Sequence, residues 1–252
     1  MDKVVELAST SGKPYVEIDF RALEAGGFVN PGAPRSLIAE EFRQIKRPLL
    51  NNAFGASATM VDKGNLVLVT STFPNEGKSF TAINLALSCA MELDKTVLLI
   101  DADLVNPSLF GMLKLPPGKG LSDYLSGKFW DVAPLLQRTN LNNLVLLSAG
   151  RLYEHSAELL SSEKMKKLLE EIESRYDDRI VIIDSPPILV SNEARILAEL
   201  VGQIVMVVES GKTAEKDLKM ALEFLDPNKS IGLVLNKCQS HEQTLYYPYQ
   251  KK

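Results

Sequence analysis

Residues 65–80 read NLVLVTSTFPNEGKSF, and this stretch decides the fold. An apolar, β-branched run at 65–71 passes into a turn-rich loop, which opens a helical pattern at Ser79. GKS after such a loop is the core of a phosphate-binding loop. Backbone N–H groups at a helix N-terminus cradle phosphates, Lys78 reaches the β/γ oxygens, and the Ser79 hydroxyl takes a Mg²⁺ position. The usual GxxxxGK[ST] begins with glycine, whereas Thr72 holds that place here. The loop alone therefore leaves open a simple turn with a fortuitous GKS; its strand–loop–helix setting favours the phosphate loop.

Outward from this loop the chain alternates strands and helices. Further apolar runs stand at 96–101, 143–149, 179–184, 203–209 and 231–237. Their continuous apolar character is that of parallel strands covered on both faces. Helical stretches are expected over 79–93, 161–176, 193–200 and 214–225. This alternation predicts an α/β fold, a single doubly wound, mostly parallel sheet with helices on both faces. Before it, Leu37, Ile38, Phe42, Ile45 and Leu49 share one face of a helix capped by Ser36, which Pro48 should kink or end. Residues 1–34 show little periodicity and read as a flexible or loosely docked N-terminal extension. Residues 35–238 form the predicted domain, and 239–252 a polar tail with Tyr246, Tyr247 and Tyr249.

Of the 252 residues 45% are hydrophobic and 24% charged, which excludes wholesale disorder and fibrous classes. Lys plus Arg number 28 against 32 Asp plus Glu, a net charge of −4 that argues against nucleic acid as a partner. Cys89 and Cys238 stand far apart, neither a disulfide framework nor a metal spacing, which points to a reducing cytoplasmic setting. No apolar window spans a bilayer, so membrane recruitment is expected to run through a partner.

Carboxylates close two of the strands: Asp101, with Asp103 two residues on, and Asp184 before Ser185-Pro186-Pro187. Strand C-termini in a parallel sheet face the ligand crevice. Acids there can hold Mg²⁺ and its waters, and one can accept a hydroxyl proton. Any one of them could instead cap a strand end or a following turn, as Asp103 might before Pro107; together, beside a phosphate loop, they read as a site.

At this point the sequence resembles the bacterial tyrosine kinases. FPNEGKSF (73–80), DAD (101–103) and VIIDSPP (181–187) look like that family's Walker A, A′ and B motifs. EEFRQIKRPLL (40–50), AELLSSEKM (157–165) and VLNK (234–237) match further blocks, so the likeness covers residues 36–238. The subgroup it most resembles is the tyrosine autokinase of exopolysaccharide (PEP-CTERM/exosortase) loci. The resemblance implies an ATP-dependent protein-tyrosine kinase with Mg²⁺, autophosphorylating its tail in trans. Pro74, Asn75, Glu76, Gly77, Lys78, Ser79 and Phe80 would bind nucleotide. Ser79, Asp101, Asp103 and Asp184 would position metal and waters, with Asp101 or Asp103 as base. Asn236 would read adenine, though a strand-end cap is the other reading. Glu40, Arg43 and Lys46 match the family's ExxRxxR signature, except that Lys46 stands in place of the last Arg, and in the family that helix docks subunits into rings; the residues alone favour a solvated polar face.

The same resemblance implies a homo-oligomer, a separate transmembrane polysaccharide chain-length regulator as activator, and a tyrosine phosphatase as counterpart. Tyr246, Tyr247 and Tyr249 would be the phosphoacceptors, although a C-terminal aromatic cluster could also simply pack on the body. Val105 departs from the family, which often has Arg there. Two other readings stand beside the kinase. One is a MinD/ParA-like switch ATPase, whose second signature lysine near the loop start is missing where this chain has Thr72. The other is a nucleotide-binding scaffold without transferase activity.

Overall fold

The strand residues split into two sets by parity, and that split builds the domain. A computed structural model of the protein describes residues 14–55, 61–153 and 155–238. Its strands are β1 (Tyr15–Val16), β2 (Leu66–Ser71), β3 (Thr96–Asp101), β4 (Gln137–Thr139), β5 (Leu144–Leu147), β6 (Arg179–Asp184), β7 (Gln203–Glu209) and β8 (Ser230–Asn236). The longer helices are α2 (Leu37–Phe54), α3 (Lys78–Ala90), α7 (Glu163–Arg175), α8 (Asn192–Leu200) and α9 (Glu215–Leu222). Short helices α1 (Phe20–Ala25), α4 (Leu109–Met112), α5 (Leu121–Leu125) and α6 (Ser156–Leu160) fill the connections.

The strands form one eight-stranded sheet in the order β1-β4-β5-β3-β6-β2-β7-β8. All the pairings are parallel except β4 with β5. Successive side chains point to opposite faces of a strand. Val67, Val69, Val97, Leu99, Ile180, Ile182, Val205 and Val207 accordingly pack with α2, α3 and the N-terminal segment. Leu66, Leu68, Leu98, Ile100, Val181, Ile183, Ile204 and Met206 pack on the other face with α7, α8 and α9. Two buried faces explain the continuous apolar runs, and the doubly wound expectation holds. Because β2, β6 and β3 are parallel neighbours, their C-terminal ends, and everything carried there, lie along one edge.

The expectation of a flexible extension does not hold for residues 14–34. Ile18, Leu23, Phe28 and Val29 are buried, and β1 adds to the sheet beside β4. Asn140 completes that edge, accepting the Ile18 N–H and donating to the Ile18 carbonyl, both at 3.0 Å. Val29 donates its N–H to Asn84 Oδ1 on α3 at 2.6 Å, and the Phe28 ring lies 4.8 Å from that of Phe80. Scattered anchors of this kind carry no regular period, so periodicity could not reveal them.

A helix end at Pro48 is a second expectation to correct. The helix neither ends nor breaks there but runs on to Phe54. Gln44 and Pro48 both lie on the exposed side, where the carbonyl that Pro48 cannot serve is open to water. Finally, β8 is an edge strand despite its apolar run: Leu233 and Leu235 are more than half exposed.

Candidate active site

The phosphate loop is a rigid bend between β2 and α3. Asn75 and Gly77 both have positive φ, at 66° and 101°. Glu76 is buried and clasps the loop from within: its carboxylate accepts the Phe73 N–H at 2.9 Å and the Thr213 hydroxyl. The end of β8 clasps it from outside. Asn236 donates its amide to the Glu76 carbonyl at 2.8 Å, and Lys237 Nζ donates to the Asn75 carbonyl at 2.6 Å. Asn236 therefore serves the loop through its NH₂ group in this structure, as a strand-end tie. No side chain caps the start of α3 at Gly77, which leaves its first N–H groups for an anion. Thr72, at the place of the missing glycine, is fully buried at the strand–loop junction.

A side chain at Gly77 is strained and displaces the Asn236 tie. A Cβ there would sit 2.0 Å from Asn236 Nδ2, on a backbone that already disfavours L-residues. Gly77→Ala is expected to weaken nucleotide binding at least about tenfold, while the two faces of the sheet keep the fold. Titration with a fluorescent nucleotide checks this, and native-like affinity would contradict the described loop geometry.

The three acids converge on Lys78. Asp101 and Asp184 end neighbouring strands in direct register. Lys78 Nζ donates to Asp103 Oδ2 at 2.8 Å and lies 3.9 Å from Asp184 Oδ1. Asp101 accepts the N–H groups of Asp103 and Leu109, each at 3.3 Å, and Asp103 Oδ1 accepts the Asn106 N–H at 2.9 Å. The capping role open for Asp103 and its place in the site thus coexist. Burial alone would lower the Lys78 pKa, but Asp184, Asp103 and Asp101 outweigh it and hold the ammonium charged. Burial, then the neighbouring Asp184 and Asp103, push the Asp101 carboxyl well above its ordinary range. Burial likewise pushes Asp184 up to about 6, against the opposing pull of Lys78 and the Ser79 hydroxyl.

Both Asp184 oxygens are buried with no hydrogen-bond partner, an acceptor pair awaiting donors such as the waters around a cation. Ser79 supplies a hydroxyl beside them, held by the Ser108 hydroxyl at 2.9 Å. Among the described residues no group of three His, Cys, Asp or Glu forms a metal cage. Mg²⁺ keeps much of its water and is held through few protein ligands and phosphates. The residues fit the ion. Ser108 carried no motif and was missed by sequence reasoning; its place just before α4, facing Ser79, is visible only in the fold.

A cleft of about 720 Å³ opens over these groups, lined by Pro74, Asn75, Gly77, Lys78, Ser79, Phe80 and Asp103 on one side. Val105, Met112, Pro186, Pro187 and Val190, with the polar Asn106, Ser108, Ser191 and Glu193, form the rest of its lining. Asp101 and Asp184 lie behind Asp103 and do not line it.

The other predicted residues separate. Lys46 is buried, donates to the Ser88 carbonyl at 2.7 Å and pairs with Glu92 at 2.6 Å. It ties α2 to α3, which corrects its reading as a docking residue. Glu40 and Arg43 are partly exposed and pair with each other, and Arg43 also donates to the Pro34 carbonyl at 2.9 Å. Tyr246, Tyr247 and Tyr249 lie outside the described residues.

Comparison with known proteins identifies the family. A family model described as an AAA domain matches residues 75–229. Tyrosine-protein kinase YwqD of Bacillus subtilis is 38% identical over 218 residues, covering 85% of this chain and 88% of that protein. Tyrosine-protein kinase Wzc of Salmonella typhimurium is 31% identical over 225 residues, covering 87% of this chain and 30% of that protein. The kinase domain of Escherichia coli tyrosine kinase ETK superposes with a TM-score of 0.74 at 26% identity, covering 99% of this chain and 92% of that one. Sequence and fold together show that this chain belongs to the bacterial tyrosine-protein kinases.

Proposed function

We propose that this tyrosine kinase uses MgATP to phosphorylate its own tail tyrosines, Tyr246, Tyr247 and Tyr249, on a neighbouring copy. The observation that carries the reading is the Lys78–Asp103 pair, a cation and a carboxylate side by side in the cleft that the phosphate loop lines. In the nucleotide-bound state Lys78 turns from Asp103 to the β/γ-phosphate oxygens, and the N–H groups at the start of α3 hold the phosphates. That exchange frees Asp103 Oδ2 to take the phenolic proton. The phenolic oxygen bonds to the γ-phosphorus, the bond to the β-phosphate bridging oxygen breaks, and ADP leaves with that electron pair. Asp103 is the base rather than Asp101, because Asp103 faces the cleft and Asp101 is held behind it by two backbone N–H groups. Mg²⁺, when bound, neutralises charge developing on the phosphate oxygens. Ser79 and the buried Asp184, whose two oxygens have no donor from the protein, would hold it. Asn236 retains its side-chain carbonyl for the amino group of adenine.

The reading extends to assembly. Glu40 and Arg43 are the exposed part of the ExxRxxR signature and would dock neighbouring copies into a ring. Each phosphate added to a tail brings about −2 charge to a chain already at −4, which disfavours further docking against acids. A transmembrane polysaccharide chain-length regulator on the inner face of the membrane would activate the kinase, and a tyrosine phosphatase would reset it, in the service of exopolysaccharide synthesis and export. The match to 30% of the longer Wzc chain supports an activator outside this domain. No helix among the described residues is long and apolar enough to cross a membrane.

Phosphosite mass spectrometry on phosphatase-treated protein, incubated with and without MgATP, tests the reading. ATP-dependent phosphate on any of the three tail tyrosines is the expected result. ATP turnover without phosphotyrosine would move the function to a switch ATPase.

A further inference from the structure

Two of the exposed apolar side chains in the described fold stand at the mouth of the catalytic cleft. Val105 is 48% exposed and Val190 60% exposed. Neither is needed by either face of the core. Val105 follows Asp103 on the loop after β3, and Val190 follows Asp184 on the loop after β6. Since β3 and β6 are parallel neighbours with Asp101 opposite Asp184, the two loops rise side by side from the same sheet edge. Both valines line the cleft that holds Lys78, Ser79 and Asp103, and Met112, Pro186 and Pro187 continue its apolar wall inward.

The acids beneath are almost completely covered. Asp103 is 3% exposed, Asp101 1% and Asp184 0%. A serine hydroxyl, two bonds from its backbone, cannot reach Asp103 without bringing the peptide chain into the cleft. A tyrosine hydroxyl stands at the far end of a flat apolar ring, and an apolar body with a polar tip is what a cleft with apolar lips and an acidic floor accepts.

We infer that Val105 and Val190 are the jaws of an acceptor-ring clamp, which grips the aromatic ring of the incoming tyrosine while its hydroxyl meets Asp103. The inference rests on the kinase reading and deepens it: it assigns selection of a phenolic over an aliphatic hydroxyl to two residues that touch neither phosphate nor metal. The occupant is a tyrosine of a second copy's tail, whose sequence YYPY presents three such rings within four residues.

The test uses the full-length chain and a synthetic peptide of residues 243–252 as acceptor, with initial rates measured separately against peptide and against ATP. Val105→Ser and Val190→Ser are each expected to raise the peptide KM about fivefold, and the double variant about twentyfold, from lost apolar contact with the ring. The kcat at saturating peptide and the KM for ATP should stay within about twofold, the pattern of lost uniform binding. Val105→Leu and Val190→Leu should keep the native peptide KM. Both positions are exposed, and an unchanged ATP KM reports that the site is folded. An unchanged peptide KM in the double serine variant overturns the clamp. A parallel rise in the KM for ATP also overturns it, because the valines would then be serving the nucleotide base. A native chain that turns over ATP but labels no tyrosine peptide overturns the kinase reading and the clamp together.

Discussion

Lys78→Ala abolishes phosphotyrosine, with an expected loss of at least about a thousandfold in the rate of tail labelling. Lys78 is the cation among the three acids Asp101, Asp103 and Asp184, and it is mostly covered, with 11% of its side chain exposed. Removing it takes away the charge that meets the γ-phosphoryl group and leaves Asp101, Asp103 and Asp184 facing one another. The same change therefore has a second, separable effect. Breaking a buried pair by deleting one partner costs on the order of 3 kcal/mol, because the remaining charge stays buried. Its sign with pH is set by the acids. Without Lys78 they ionise at a greater cost, so the variant should be close to native stability near pH 4.5 and clearly less stable at pH 8. Urea melts at the two values, beside an anti-phosphotyrosine assay at matched folded concentration, separate the effects. Lys78→Arg restores charge but not function, since a planar fork cannot replace a point charge inside this loop. Labelling by purified Lys78→Ala within tenfold of native would remove Lys78 from the mechanism.

How much of this was legible in the sequence varies with the kind of order involved. The central strands were readable because burial on both faces writes itself as uninterrupted Val, Ile and Leu, and β3, β6 and β7 begin and end where the pattern says. Asp101 and Asp184 were readable because they terminate those runs. Their register was not, since the pairing of β3 with β6 is set by which helices cross over, and no local pattern encodes it. Ser108 was invisible for the same reason: it is catalytic furniture only because α4 brings it to Ser79. Glu76 reads as a loop residue that would bind nucleotide, and only the fold shows that its carboxylate also holds the loop's shape through Phe73 and Thr213. Lys46 shows the converse error. A lysine on a helix is exposed by default, and only the approach of α3 turns it inward to Ser88 and Glu92. The segment 14–34 was misread because its anchors act singly, through Asn140, Asn84 and Phe80, with no repeated unit to detect.

Asp184→Asn should make the nucleotide-free protein more stable and nearly inactive. Asp184 is fully buried, with neither oxygen hydrogen-bonded, and its pKa is pushed up to about 6 from an ordinary 3.8. Between those two values the folded protein keeps a proton that the unfolded chain has lost. Folding stability therefore falls as pH rises from about 4 to about 6 and stays low above it, by about 3 kcal/mol at the 1.36 kcal/mol that each unit represents. An asparagine cannot ionise, so most of that fall disappears. The variant should exceed the native protein by about 2 kcal/mol at pH 8, the remainder being the cost of an amide without full partners. Asp101 feels the change too, because the Asp184 charge is one of the causes that raise it. Labelling activity should drop at least about a hundredfold, since the lost carboxylate is the one whose oxygens await a cation's waters. A readout independent of activity completes the test: Mg²⁺ should raise the native urea midpoint at pH 8 and leave that of Asp184→Asn unmoved. A variant less stable than native at pH 8 would mean that the carboxylate is already satisfied within the fold, and its role would then be structural. The expected outcome places the cost of catalysis at a named atom pair, where a buried charge is kept at the expense of stability so that a cation has somewhere to bind.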